Sequence, residues 1–148
     1  MSKRIHPFLA SCIVLLAFAV GVLAQDSKKP AMTPNKQTVQ AYMDAFNKTD
    51  HAAILACLTD DVEWFIPGAF TAKGKGEFDK QIENDAFVGH PIIKVTRMTE
   101  ENDVVVAEGN VRCTRKDGVV MHLEFCDVFE MRGAKIKRLV SYLMEVKD

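Results

Sequence analysis

The chain has 148 residues, 48% hydrophobic and 26% charged, with a formal net charge of −1 at pH 7. That length suits one domain around a single core, and so even a charge balance gives no electrostatic reason to expect a nucleic-acid partner. The cysteines fall at irregular spacing and the histidines stand singly, which points to neither a disulfide framework nor a metal site.

Lys3 and Arg4 precede an apolar run, Phe8 to Leu23, that ends in Val22-Leu23-Ala24. The pattern predicts a secretory signal peptide, residues 1–24, cleaved after Ala24. The alternative is an uncleaved anchor, although the run is short for a membrane span. Cleavage implies export to the periplasm or the extracellular space, with no membrane attachment afterwards. Of the 19 Lys and Arg, Lys3 and Arg4 leave with the signal; against 20 Asp and Glu, the mature chain carries −3. Cys57, Cys113 and Cys126 remain, and a Cys113–Cys126 bridge between neighbouring strands is open.

Residues 25–34 are polar and carry two prolines, which predicts a disordered linker. Thr33 as cap and Pro34 at the first position start a helix running to about Asn47. Its apolar stripe is Val39, Tyr42, Met43 and Phe46. Asp50 caps a second helix, with Ile54, Leu55 and Leu58 inside, and Thr59-Asp60-Asp61 ends it. Val62–Ile66 is a strand stopped by Pro67-Gly68. Residues 71–76 read as a loop, and Glu77–Phe87 as a third helix. Strands follow at Pro91–Thr99, Val104–Thr114, Val119–Met131 and Ile136–Val146, with a hairpin signal at Asp117-Gly118. Helices first and antiparallel strands after predict an α+β domain over residues 35–148, three helices packed on a curved, mainly antiparallel sheet.

Within the third of these strands, Leu123, Phe125, Asp127 and Phe129 share one face. An acid in that company must be paired, be protonated or line a wet cavity. If the Asp117-Gly118 loop has two residues, Glu108 faces Asp127 and Asn110 faces Phe125, so Glu108, Asn110, Arg112 and Asp127 share a surface. Two carboxylates that close would leave one protonated and the other free to act as a base. The plainer alternatives are a structural Tyr42 and Asp127, and a surface Glu108–Arg112 ion pair.

Val39-Gln40-Ala41-Tyr42 with Phe46-Asn47, Leu58-Thr59-Asp60-Asp61-Val62-Glu63-Trp64 leading to Pro67-Gly68, Phe125-Cys126-Asp127-Val128-Phe129 and Gly133-Ala134-Lys135-Ile136 occur in this order. Together they resemble the nuclear transport factor 2-like superfamily, and within it the SnoaL-like and ketosteroid-isomerase-related proteins. The resemblance implies a cone-shaped roll that encloses an apolar pocket. In the isomerases a tyrosine and an aspartic acid donate hydrogen bonds to an enolate oxygen, and a carboxylate before a proline moves the proton. Tyr42 and Asp127 fall at the first two positions. The third is Ile66, before Pro67, which cannot accept a proton. The implied catalytic set is Tyr42, Asp127 and Glu108, with Phe46, Trp64, Ile66, Asn110, Phe125 and Tyr142 lining the pocket, and with no cofactor or metal. Paired acids with an Arg are similar to the epoxide-hydrolase-like members. Two functions follow: an isomerase-, hydrolase- or cyclase-type enzyme acting on an apolar, oxygen-bearing small molecule, or a non-catalytic ligand-binding or dimerisation module. Superfamily habit adds a homodimer.

Overall fold

The computed structural model describes residues 31–147. The signal peptide and most of the predicted linker lie outside the described residues. Helix α1, Pro34–Phe46, begins where the Thr33 hydroxyl accepts a hydrogen bond from the Lys36 N–H at 3.2 Å. It buries Val39, Tyr42, Met43 and Ala45. It ends in a Schellman pair: Asp50 N–H bonds to the Ala45 carbonyl and Thr49 N–H to the Phe46 carbonyl. Helix α2, His51–Ala56, is capped by Asp50, whose carboxylate accepts from the Ala53 N–H at 3.0 Å.

Strand β1, Leu58–Ile66, starts four residues earlier than the pattern predicts. Thr59-Asp60-Asp61 does not interrupt it, because Leu58 pairs with Ile136 while Asp60 and Asp61 reach outward to Lys75 and Arg132. Strand β2, Phe70–Lys73, is unforeseen and pairs antiparallel with β1. Helix α3, Gly74–Asp79, is earlier and shorter than expected. Phe78 is its one buried residue, and the chain has already turned at Asn84 before Phe87 opens β3.

The remaining strands are β3 (Phe87–Glu101), β4 (Val104–Arg115), β5 (Val120–Arg132) and β6 (Lys135–Glu145). The sheet order is β2-β1-β6-β5-β4-β3, antiparallel except for the parallel β1–β6 pair. The sheet is curved and unclosed, and the helices fill its concave side. Phe78, Phe129, Ile54, Leu58, Ile136 and Leu139 are completely buried there. Register shifts at Val88/Ile92 and Val95/Arg97 bend β3. As the edge strand it tolerates Pro91, which has no N–H to give a ladder.

The β4–β5 loop corrects the predicted register. Gly118 N–H bonds to the Arg115 carbonyl, Arg115 N–H bonds to the Val119 carbonyl, and Gly118 sits at φ +87°. This is a three-residue loop with a left-handed glycine, one residue longer than the two-residue hairpin that Asp-Gly suggests. Asp127 therefore faces Ala107, and Glu108 faces Cys126. A one-residue change turns every side chain to the other face of the sheet.

Candidate functional site

Strand β5 carries Asp127 on the concave face between Phe125 and Phe129, only 9% exposed. Its Oδ1 has no hydrogen-bond partner. Its cross-strand neighbour on β6 is Ser141. The Trp64 indole N–H donates to Ser141 Oγ at 3.1 Å, which leaves the Ser141 hydroxyl proton for Asp127. Burial pushes the Asp127 carboxyl up to about 7, and the Ser141 hydrogen bond draws it part of the way back.

Tyr42, 3% exposed, projects from α1 into the same space. Phe46 at 4.9 Å, Phe129 at 5.6 Å and Phe78 at 6.3 Å, measured between ring centroids, fix its ring. Burial first, and the Asp127 charge second, hold its phenol well above the usual range. At neutral pH Tyr42 is a hydrogen-bond donor. Trp64 stacks on Phe78 at 4.7 Å and stands against Phe46 and Phe70, so the apolar wall is rigid beside the acid.

These side chains face a cavity of about 600 Å³, within the range of small-molecule sites. Phe46, Trp64, Ile66 and Phe125 line it, together with Tyr42 and Asp127. Glu108, Asn110 and Tyr142 do not. Glu108 turns to the convex face, where a hydrogen bond and ion pair with Arg97 hold its carboxyl below the usual range. Asn110 pairs with Glu124 and Arg112 with His122 on that same face. Tyr142 faces Cys126 and is 50% exposed. A base role for Glu108 is thus ruled out by strand parity, and Arg112 is not its partner. Cys113 lies on the cavity wall and Cys126 on the opposite face, so the two stay unbridged.

Sequence reasoning missed Ser141, Thr49, His90 and Cys113, all of which line the cavity. Ser141 carried one signal, a small polar residue between Val140 and Tyr142, but its face depended on the β5–β6 register. Glu83 and Asp85 complete the acids on the lining, both exposed at the rim. Among the described residues no cluster of three or more His, Cys, Asp or Glu is placed to hold a metal ion, and no helix is long and apolar enough to cross a membrane.

The family model for the SnoaL-like domain matches residues 39–139. Among solved structures, an NTF2-like protein of unknown function from Burkholderia pseudomallei superposes with a TM-score of 0.72. It is 23% identical, over 76% of this chain and 92% of that one. TerC, co-crystallized with polyporic acid, gives 0.70 at 23% identity over 76% of this chain and 92% of that one. An LEH-like epoxide hydrolase from M. tuberculosis gives 0.68 at 19% identity over 78% and 86%. No curated protein matches the chain. At these identities the likeness to solved structures is one of fold.

Proposed function

The chain belongs to the SnoaL-like domain family, and from that premise we propose that its cavity takes an apolar, oxygen-bearing small molecule on which Asp127 moves a proton while Tyr42 donates to the oxygen. The observation that carries this reading is the buried Asp127 Oδ1, left without a partner beside an open apolar space. An orphaned buried acceptor costs free energy that a bound ligand repays. A carboxyl near 7 is also poised to give and to take a proton at neutral pH. The natural reaction is cofactor-free: Asp127 removes a proton from carbon next to a carbonyl, Tyr42 stabilises the enolate oxygen, and the proton returns at another position. Isomerisation and ring closure both begin that way. The complex of TerC with polyporic acid supports an oxygenated ligand of this general kind.

A second reading, binding without turnover, is favoured by Ile66 at the position of the isomerase base, with Glu83 and Asp85 exposed far out on the rim. One experiment separates the two. Trp64 is the only tryptophan and lies in the cavity wall, so its fluorescence reports binding. A panel of aryl ketones, β-tetralone included, is titrated in, and exchange of their α-protons in D2O is followed by NMR. We expect Asp127→Leu and Tyr42→Phe each to weaken binding about tenfold, the loss of a buried hydrogen bond, and Asp127→Asn to bind but not exchange. Binding without exchange by the wild type selects the second reading, and no binding at all overturns both.

Export with cleavage after Ala24 and assembly as a homodimer are proposals of the same standing. Native mass spectrometry of the exported protein is expected to give two copies of residues 25–148; a species retaining residues 1–24, or a monomer alone, would sink the corresponding half.

A further inference from the structure

We infer that the cavity has a second polar subsite at its lip, built by Thr49 and His90, and that it takes elongated apolar molecules with a neutral hydrogen-bonding oxygen at each end. This rests on the reading that Tyr42 and Asp127 form the polar station at the deep end of the cavity, where Tyr42 donates to one such oxygen.

The first observation is a backbone anomaly. Thr49 occupies the residue after the α1 cap in the Schellman pair, at φ +51°. Glycine is the usual choice there, and a β-branched residue is strained. The strain is retained where the side chain does something that glycine cannot. Here the Thr49 Oγ1 meets His90 Nδ1 at 2.7 Å, across 41 positions of sequence. The second observation is a clamp. The Asn47 side chain accepts from the Ile93 N–H at 2.6 Å and donates to the Ile93 carbonyl at 3.1 Å. It fastens β3 just past His90 to the end of α1, so the pair sits at a fixed place on the lip.

Both residues line the cavity. With Thr49 engaged at Nδ1, the other ring nitrogen is available to a ligand, as donor or acceptor according to the tautomer. Between this pair and Asp127 the wall is apolar: Phe46, Ile93, Val111, Leu123 and Phe125. Tyr42 lies four residues, about 6 Å of helical rise, before the end of α1 at Phe46, and Thr49 stands in the turn beyond it, so the two stations are on the order of 10 Å apart. A ligand with one oxygen satisfies only the deep station, and one with two oxygens at that spacing satisfies both. Glu83 and Asp85 on the lip disfavour an anionic end, so hydroxyl or keto oxygens fit better than carboxylates.

The test compares 4-hydroxybiphenyl with 4,4′-dihydroxybiphenyl, whose two oxygens stand at a comparable separation, by quenching of Trp64. The quantity read is the ratio of their dissociation constants. We expect the diol to bind the wild type about tenfold tighter. His90→Phe and Thr49→Gly should each bring the ratio toward one, whereas Asp127→Leu should weaken both compounds and leave the ratio standing. A wild-type ratio near one, or a ratio that survives in both lip variants, overturns the inference. Unchanged affinity of both compounds in Asp127→Leu overturns the deep-station reading instead, and binding of neither compound overturns both. Thr49→Gly also checks the premise. Relieved of strain, it should melt above Thr49→Ala, which loses the same hydroxyl but keeps a Cβ; the reverse order would show that Thr49 is not strained and remove the argument.

Discussion

Gly109→Ala is expected to cost at least about 3 kcal/mol of folding stability, at the upper end for overpacking a tight site. A Cβ at Gly109 would stand 2.1 Å from the Lys94 carbonyl oxygen and 2.9 Å from two ring carbons of Phe125. The ring could swing into the cavity. The carbonyl could not, because Lys94 is main chain of β3, held by pairing to β4 on the stretch that leads into the Val95/Arg97 shift. The absent side chain lets β3 come close as the sheet bends, with Phe125 folded across the gap on the concave side. Adding one methyl group therefore disturbs both the curvature and a cavity wall. Urea unfolding followed by Trp64 fluorescence measures the effect. A variant within about 1 kcal/mol of wild type would show that β3 can retreat cheaply, and would remove Gly109 from the account of sheet curvature.

Asp127→Asn is expected to change how stability depends on pH. The carboxyl lies near 7 in the folded protein against an ordinary value of 3.8. Below the ordinary value both states are protonated, and the acid imposes no penalty. As pH rises from about 4 to about 7, the unfolded chain ionises while the folded one resists, so wild-type stability falls. Above 7 both states ionise and the loss levels off. Three units of difference correspond to about 4 kcal/mol at full extent, an order-of-magnitude figure. Asn has no proton to lose, keeps a donor and is nearly the same shape. The stability of Asp127→Asn minus that of wild type should thus climb between pH 4 and pH 8 by several kcal/mol, with other carboxylates cancelling in the difference. Parallel curves for the two proteins would mean that Asp127 ionises in the fold as it does in water, and would take away the physical basis for its acid–base role.

Much of the site was already visible along the chain because it rests on short-range chemistry. The three- and four-residue spacing in α1 put Tyr42 on the buried stripe. Two-residue alternation in β5 put Asp127 in line with Leu123, Phe125 and Phe129, and Pro67 after Ile66 marked the end of β1 at the cavity wall. What alternation cannot specify is which residue of the next strand stands opposite, since sliding a strand by one residue leaves its own pattern unchanged. That choice fell to a three-residue loop at Lys116-Asp117-Gly118, and it sent Glu108 and Asn110 to the convex face. Short elements without periodicity were hard to read for a related reason. Strand β2 has four residues and is a strand because β1 offers it a ladder, not because Phe70-Thr71-Ala72-Lys73 declares one.

The sequence by itself determined the order of the helices and the long strands, the caps at Thr33 and Asp50, and the presence of one acid on an apolar strand face. Each depends on residues within a few positions of one another, where backbone geometry leaves few alternatives. Only the tertiary structure decided what surrounds that acid. Ser141 stands opposite it on the neighbouring strand with its oxygen held by Trp64, Glu108 is withheld from it, and Thr49 meets His90 at the far end of the same cavity. These are contacts between residues far apart in sequence, set by loop length, register and sheet curvature acting together, and no local pattern encodes them separately.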